Sequence, residues 1–285
     1  MEEHLIFTSE GSRLGGILHM PDTAPRGWVV LVHGWTGCKL GPHRMFVKMA
    51  RQLEALGWAC LRFDLRGRGD SEGEEAKAGL GTMVADARTA FLTMREKIPA
   101  CPGLMLGICS GANVCVGVLS EEPKPEGLVL WSMPTYGSQT QVQQGLVQTG
   151  SMLKTYWEKA KRVETWRKAL RGKLQPAMIA KAVLSPLKDR TGREGRGRSE
   201  AEDEATLDRR YLGFLARYEG PLLFVYGKAD PMASPAMKAF GDICEKRPGK
   251  NSFHEVEGAN HSFYALDQEA EVLERTKDWI QSGWM

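Results

Sequence analysis

Residues 103–115 read GLMLGICSGANVC. A short apolar run, GLMLGI, ends in Gly107-Ile108-Cys109-Ser110-Gly111 and passes into a stretch that suits a helix. A G-x-nucleophile-x-G at a strand-to-helix turn needs its glycines, because the central residue sits in a strained backbone with neighbours packed close. In that frame Cys109 is the central residue. Ser110 follows it and would turn its backbone N–H towards a developing oxyanion. The pattern is short, and from these residues alone a buried cysteine in an ordinary turn reads as well.

The chain on either side supplies the context. HLIFTS and RLGGILHM flank an EGS turn and read as an opening hairpin. GWVVLVHG, WACLRFDL, GLMLGI, GLVLWSMP and PLLFVYG are continuously apolar, as strands buried on both faces are. Helical patterns fall between them. GPHRMFVKMARQLEALG has Pro42 at a first helical position, Met45, Met49, Leu53 and Leu56 on one face, and Gly57 as a stop. GTMVADARTAFLTMREKI lines up Val84, Ala87, Phe91 and Ile98, and ALDQEAEVLERTKDWIQSG closes the chain. Strands alternating with helices predict an α/β fold with a mostly parallel sheet flanked by helices.

Residues 138–213 break this rhythm. They are helical and basic in pattern, with a polar, glycine-containing loop near 188–206, and read as a helical cap inserted into a core of 1–137 and 214–285. Between 154 and 198, Lys and Arg occupy 14 positions against four for Asp and Glu. That is the composition of a solvated helical face, or of a dock for an anionic carrier such as coenzyme A or an acyl carrier protein. Trp157 and Trp166 would pack the cap or line an acyl pocket.

Bulk properties exclude several classes. A net charge of +3 is too small to signal nucleic-acid binding. No apolar run reaches the roughly 20 residues that span a bilayer, and the acidic MEEHLIFTSEG lacks a secretory pattern. The six cysteines show no CxxC or Cys/His metal spacing and read as reduced thiols of a cytoplasmic protein. RGRGDSEG lacks the third glycine of a dinucleotide loop, there is no P-loop, and no metal or redox cofactor is implied. RGRGDSEG reads instead as a structural loop near the site, with Asp64, Arg66 and Asp70 pairing locally.

Acyl transfer needs a base for the nucleophile's proton and an acid to orient that base. After PLLFVYG comes KADPMASP, with Asp230. After SFHEVEG comes ANHSF, with His261. Cys109, Asp230 and His261 thus follow one another as nucleophile, acid and base, each after a strand, where open α/β sheets place their sites. The loop after VVLVHGW offers the N–H of Trp35 as a second oxyanion donor beside that of Ser110, with His33 as a hydrogen-bonded loop anchor.

These motifs, HGW, LRFDLRGRGDSEG, GICSG, YGKADP and GANHSF, make the chain resemble the α/β-hydrolase superfamily over about residues 28–264. LGPHRMFVKMARQLEALGWACLRFDLRGRGDSEGE is similar to bacterial hydrolases associated with exosortase systems. Those relatives tend to carry Cys at the elbow, as dienelactone hydrolases do, and the resemblance implies a Cys-His-Asp triad. The function expected is hydrolysis of a small-molecule ester or thioester through an acyl-enzyme, with acyl transfer to another acceptor as the variant sharing the same triad. A non-catalytic binding protein on the same scaffold is the reading from another class.

Overall fold

The computed structural model describes residues 2–75, 78–135 and 210–282. Eight strands form one sheet: β1 (Glu2–Ser9), β2 (Ser12–His19), β3 (Gly27–Val32), β4 (Trp58–Phe63), β5 (Gly103–Ile108), β6 (Gly127–Trp131), β7 (Leu222–Gly227) and β8 (Asn251–Val256). Their spatial order is β1-β2-β4-β3-β5-β6-β7-β8. β1 and β2 form the expected antiparallel hairpin, and β2 meets β4 antiparallel. Every later pairing is parallel. All residues of β3 to β7 are buried, which is why these strands read as unbroken apolar runs rather than alternating ones.

Helices cover both faces. On one, Met45, Met49 and Leu53 of α1 (Met45–Ala55) and Val272, Leu273 and Ile280 of α5 (Leu266–Ser282) join Leu31, Leu106, Trp131 and Val225 of the sheet in a single apolar cluster. The buried Trp131 indole N–H donates to Thr276 at 3.0 Å, so the large ring brings no unpaired polar atom with it. On the other face, Phe91 of α2 (Leu80–Lys97) packs 4.9 Å from Trp28. Phe240 of α4 (Ala233–Cys244) stacks on Phe224. On the same face as α2, α3 (Ser110–Val118) starts directly after β5 and packs against α2. No described helix is long and apolar enough to cross a membrane.

Three sequence expectations change. Pro42 opens a short 3-10 turn, and α1 begins only at Met45, because His43 and Arg44 take positive φ values of 49° and 64° that an α-helix cannot accept. The run ASPAMKAFGDIC is a helix, α4, that was not expected. Of the three residues expected to pair locally, Asp70 does so, donating its N–H to Asp64 Oδ2 at 3.0 Å, but Arg66 joins neither. Lys39 bridges Asp64 and Asp70 at 2.5 Å each, and Arg66 turns instead to Asp86 on α2. The expected cap, its loop at 188–206 and the basic stretch 154–198 lie outside the described residues, apart from 210–213. Those four begin a helical stretch over 210–217 in which Tyr211 and Leu215 are buried.

Asp86 is fully buried and takes hydrogen bonds from the Arg66 backbone N–H at 2.9 Å and from its guanidinium at 2.6 Å. Asp86→Ala would leave a largely desolvated Arg66 without its carboxylate. We expect a loss of about 3–5 kcal/mol in stability, read by urea denaturation. A loss below about 1 kcal/mol would mean that Glu10, the other carboxylate on Arg66, suffices.

Candidate active site

The site is built at the turn from β5 to α3. Cys109 has φ 56° and ψ −130°, a conformation that costs a non-glycine residue free energy and is tolerated where the surroundings enforce it. The surroundings here are two close approaches. A Cβ on Gly107 would lie 2.4 Å from the Gly111 carbonyl oxygen, and one on Gly111 would lie 2.2 Å from that of Val32. The first turn of α3 therefore packs against β5 and β3 only because both flanking positions are glycine. The Cys109 N–H donates to the Trp131 carbonyl at 2.9 Å, which fixes the turn to β6. Ser110 is already the first helical residue, so the strained position belongs to Cys109.

The loops after β7 and β8 bring Asp230 and His261 together. The His261 Nδ1–H donates to Asp230 Oδ2 at 2.7 Å. Asp230 is buried, and its Oδ1 accepts the Met232 N–H at 3.0 Å, so both carboxylate oxygens have fixed tasks. With Nδ1 committed as donor, Nε2 is the nitrogen left to take a proton. Nε2 is buried and makes no hydrogen bond of good geometry among the described residues. Its electrostatic partner is Cys109. Burial pushes the Cys109 thiol up, but the adjacent His261, with help from Ser110, outweighs burial and holds the thiol below its ordinary range. Burial likewise pulls the His261 imidazole down, and Asp230 and Cys109 together raise it above its ordinary value. Both directions favour a thiolate beside an imidazolium.

The loop after β3 forms the facing wall. His33 is buried, donates from Nδ1 to the Gly34 carbonyl at 2.8 Å, and accepts the Leu65 N–H on Nε2 at 3.1 Å. Burial lowers its pKa, so it is a neutral anchor and both nitrogens are used. Trp35 differs from expectation in one respect. Its N–H, expected to be free for an oxyanion, is engaged by Ser110 Oγ at 2.7 Å.

Arg68 and Lys39 shape this loop without any signal in the local sequence. The buried Arg68 guanidinium donates from Nε to the Trp35 carbonyl, lies 5.2 Å from the centre of the Trp35 ring, and pairs with Glu75 at 3.5 Å. Lys39 ties the loop's far end to the fully buried Asp64 through both its N–H and its ammonium. No group of three or more potential metal ligands occurs among the described residues.

A sheet in this order, helices on both faces and an elbow at the end of β5 define an α/β-hydrolase fold. The solved carboxyl esterase from Bacillus coagulans in complex with glycerol shares it, at 17% identity and a TM-score of 0.68, over 99% of this chain and 98% of that one. A family model described as Serine aminopeptidase, S33 matches residues 23–269, and the chain belongs to that family. Among curated relatives, a lysophosphatidylserine lipase (ABHD12) from Danio rerio is 31% identical over 108 residues, covering 36% of this chain and 27% of the relative. A monoacylglycerol lipase from Mycolicibacterium smegmatis is 28% identical over 152 residues, covering 53% of each. The matched stretches thus span between about a quarter and a half of those relatives' own length. The family's description names a serine, whereas the central elbow position here is Cys109 with Ser110 beside it.

Proposed function

We propose that this protein hydrolyses a small-molecule ester or thioester through an acyl-enzyme on Cys109, with His261 as acid and base and Asp230 as its orienter. The observation that carries this reading is the positive-φ cysteine at the elbow, with its thiol lowered by a histidine whose other nitrogen is bound to a buried aspartate.

In acylation the Cys109 thiolate adds to the substrate carbonyl carbon. The carbonyl electron pair moves onto oxygen, and the N–H groups of Ser110 and Trp35 stabilise it. Collapse expels the alkoxide or thiolate, which takes the proton from the His261 imidazolium and leaves an S-acyl Cys109. In deacylation His261 takes a proton from water, and the hydroxide equivalent attacks the thioester carbonyl. The acid departs as the thiolate re-forms. A thioester's leaving thiolate matches the attacking one and departs readily, whereas an alkoxide, and still more an amine, departs only as it takes the His261 proton, so thioesters and activated esters are the favoured substrates.

The lipases named among the relatives make an acyl ester a natural substrate class. The basic stretch 154–198 supports a carrier-linked thioester, on coenzyme A or an acyl carrier protein, from composition alone. The likeness of residues 40–74 to exosortase-associated hydrolases agrees with a cysteine elbow.

The test is a panel of p-nitrophenyl esters, acyl-thioesters and an aminoacyl p-nitroanilide, with and without an acceptor alcohol. Turnover of esters and thioesters with an inert anilide is expected. Anilide cleavage with inert esters would assign the peptidase chemistry in the family's description instead. Ester products appearing only with the acceptor would assign acyl transfer. Inertness throughout, with no acyl adduct on Cys109 by mass spectrometry, would leave a binding protein.

A further inference from the structure

Ser110 has more to do than present a backbone N–H. Its Oγ accepts the Trp35 N–H at 2.7 Å. A hydroxyl carries one proton to donate beside its lone pairs, so its own O–H still needs an acceptor. The space around it is small and shared. A Cβ on Gly34 would lie 3.2 Å from Cys109 Cβ and 3.4 Å from Ser110 Oγ, so the cysteine and the hydroxyl border the same Gly34 backbone.

We propose that Ser110 is a positioning residue whose O–H donates to the Cys109 sulfur while its oxygen holds the Trp35 N–H, ordering the resting thiolate and releasing the Trp35 donor to the oxyanion during acylation. This rests on Cys109 being the nucleophile. The exchange is favourable in direction, because a backbone N–H bonds a charged oxygen about twice as strongly as a neutral one. No covalent bond changes in it. Trp35 N–H leaves a hydroxyl for the substrate oxyanion, and the Ser110 O–H loses its thiolate acceptor when the sulfur becomes acylated. The hydroxyl is thereby free to turn in the same step that needs the donor. Ser110 is also among the groups that hold the Cys109 thiol down, after His261.

Other charged groups near the elbow have their own partners. His261 faces Cys109 from the loop after β8, with Asp230 behind it from the loop after β7. From the β3 side His33 is committed to Gly34 and Leu65, and Arg68 to Trp35 and Glu75. Removing the Ser110 hydroxyl should therefore be felt at the thiolate itself.

The experiment follows iodoacetamide alkylation of Cys109 against pH, located by mass spectrometry, in wild type, Ser110→Ala, Ser110→Gly and Ser110→Thr. In the two variants without a hydroxyl the alkylation profile should move to higher pH, with the rate below the wild-type midpoint falling about tenfold, the worth of one hydrogen bond to a charged group. Thermal midpoints should stay near wild type in Ser110→Ala, and Ser110→Thr should keep the wild-type profile. Superimposed profiles for wild type, Ser110→Ala and Ser110→Gly would overturn the proposal while leaving Cys109 as the nucleophile. A wild-type Cys109 that alkylates only as an ordinary thiol, at pH above about 8, would overturn the proposal and the reading beneath it together.

Discussion

Cys109→Ala should lose at least about 10⁴-fold in kcat on whichever ester or thioester the wild type turns over best. Alanine keeps the Cβ and so keeps the elbow's packing, yet it removes the atom that forms the covalent bond. The residual rate would come from bound substrate, His261-activated water and the oxyanion donors alone. Cys109→Ser separates position from chemistry. Its hydroxyl occupies the same place but is not ionised by a neighbouring imidazole, so it should retain a small fraction of activity, more on activated esters than on thioesters. Ser110→Ala should keep measurable turnover. The reverse pattern, with Ser110→Ala dead and Cys109→Ala active, would shift the nucleophile by one residue. It would also remove the argument for a thiolate.

Asp230→Asn should cost almost as much, about 10⁴-fold in kcat, as loss of a triad carboxylate does when the wrong histidine tautomer results. The cause lies in the second oxygen of Asp230. Oδ1 accepts the Met232 N–H, so an asparagine would place its carbonyl oxygen there and turn its NH₂ towards His261 Nδ1. Nδ1 would then have to accept and Nε2 would carry the proton. His261 could no longer take one from Cys109 or water. The same change removes the carboxylate that helps raise the His261 pKa, so the pH profile of any remaining activity should move as well. A loss below about tenfold, with an unshifted profile, would show that Asp230 does not orient His261.

Much of this architecture was legible from residue patterning. The inner strands were visible because burial on both faces demands apolar residues at every position, as in LLFVYG and WACLRF. The elbow was visible because two glycines are needed where α3 packs against β5 and β3. Asp230 and His261 were visible by residue type and order after their strands. What stayed hidden depends on partners distant in the chain. Ser110 and Trp35 are 75 residues apart, and nothing in either neighbourhood announces that they bond. Arg66 chose Asp86 over the nearer Asp64 and Asp70 because α2 presents a buried carboxylate, while Lys39 from another loop claims the other two. The start of α1 was misplaced because Pro42 signals a helical start that the left-handed His43 and Arg44 postpone. α4 went unseen since Pro235 and Gly241 interrupt a short helical pattern.

The strand order also sets a timetable for the emerging polypeptide. The elbow cysteine lies directly after β5, whereas the aspartate and histidine facing it follow β7 and β8, more than a hundred residues later in the chain. Until those last two parallel strands dock beside β6, the half-made chain carries at Cys109 a thiol with no imidazole to ionise it. The imidazole that lowers the Cys109 thiol is therefore brought to it only by the completed sheet.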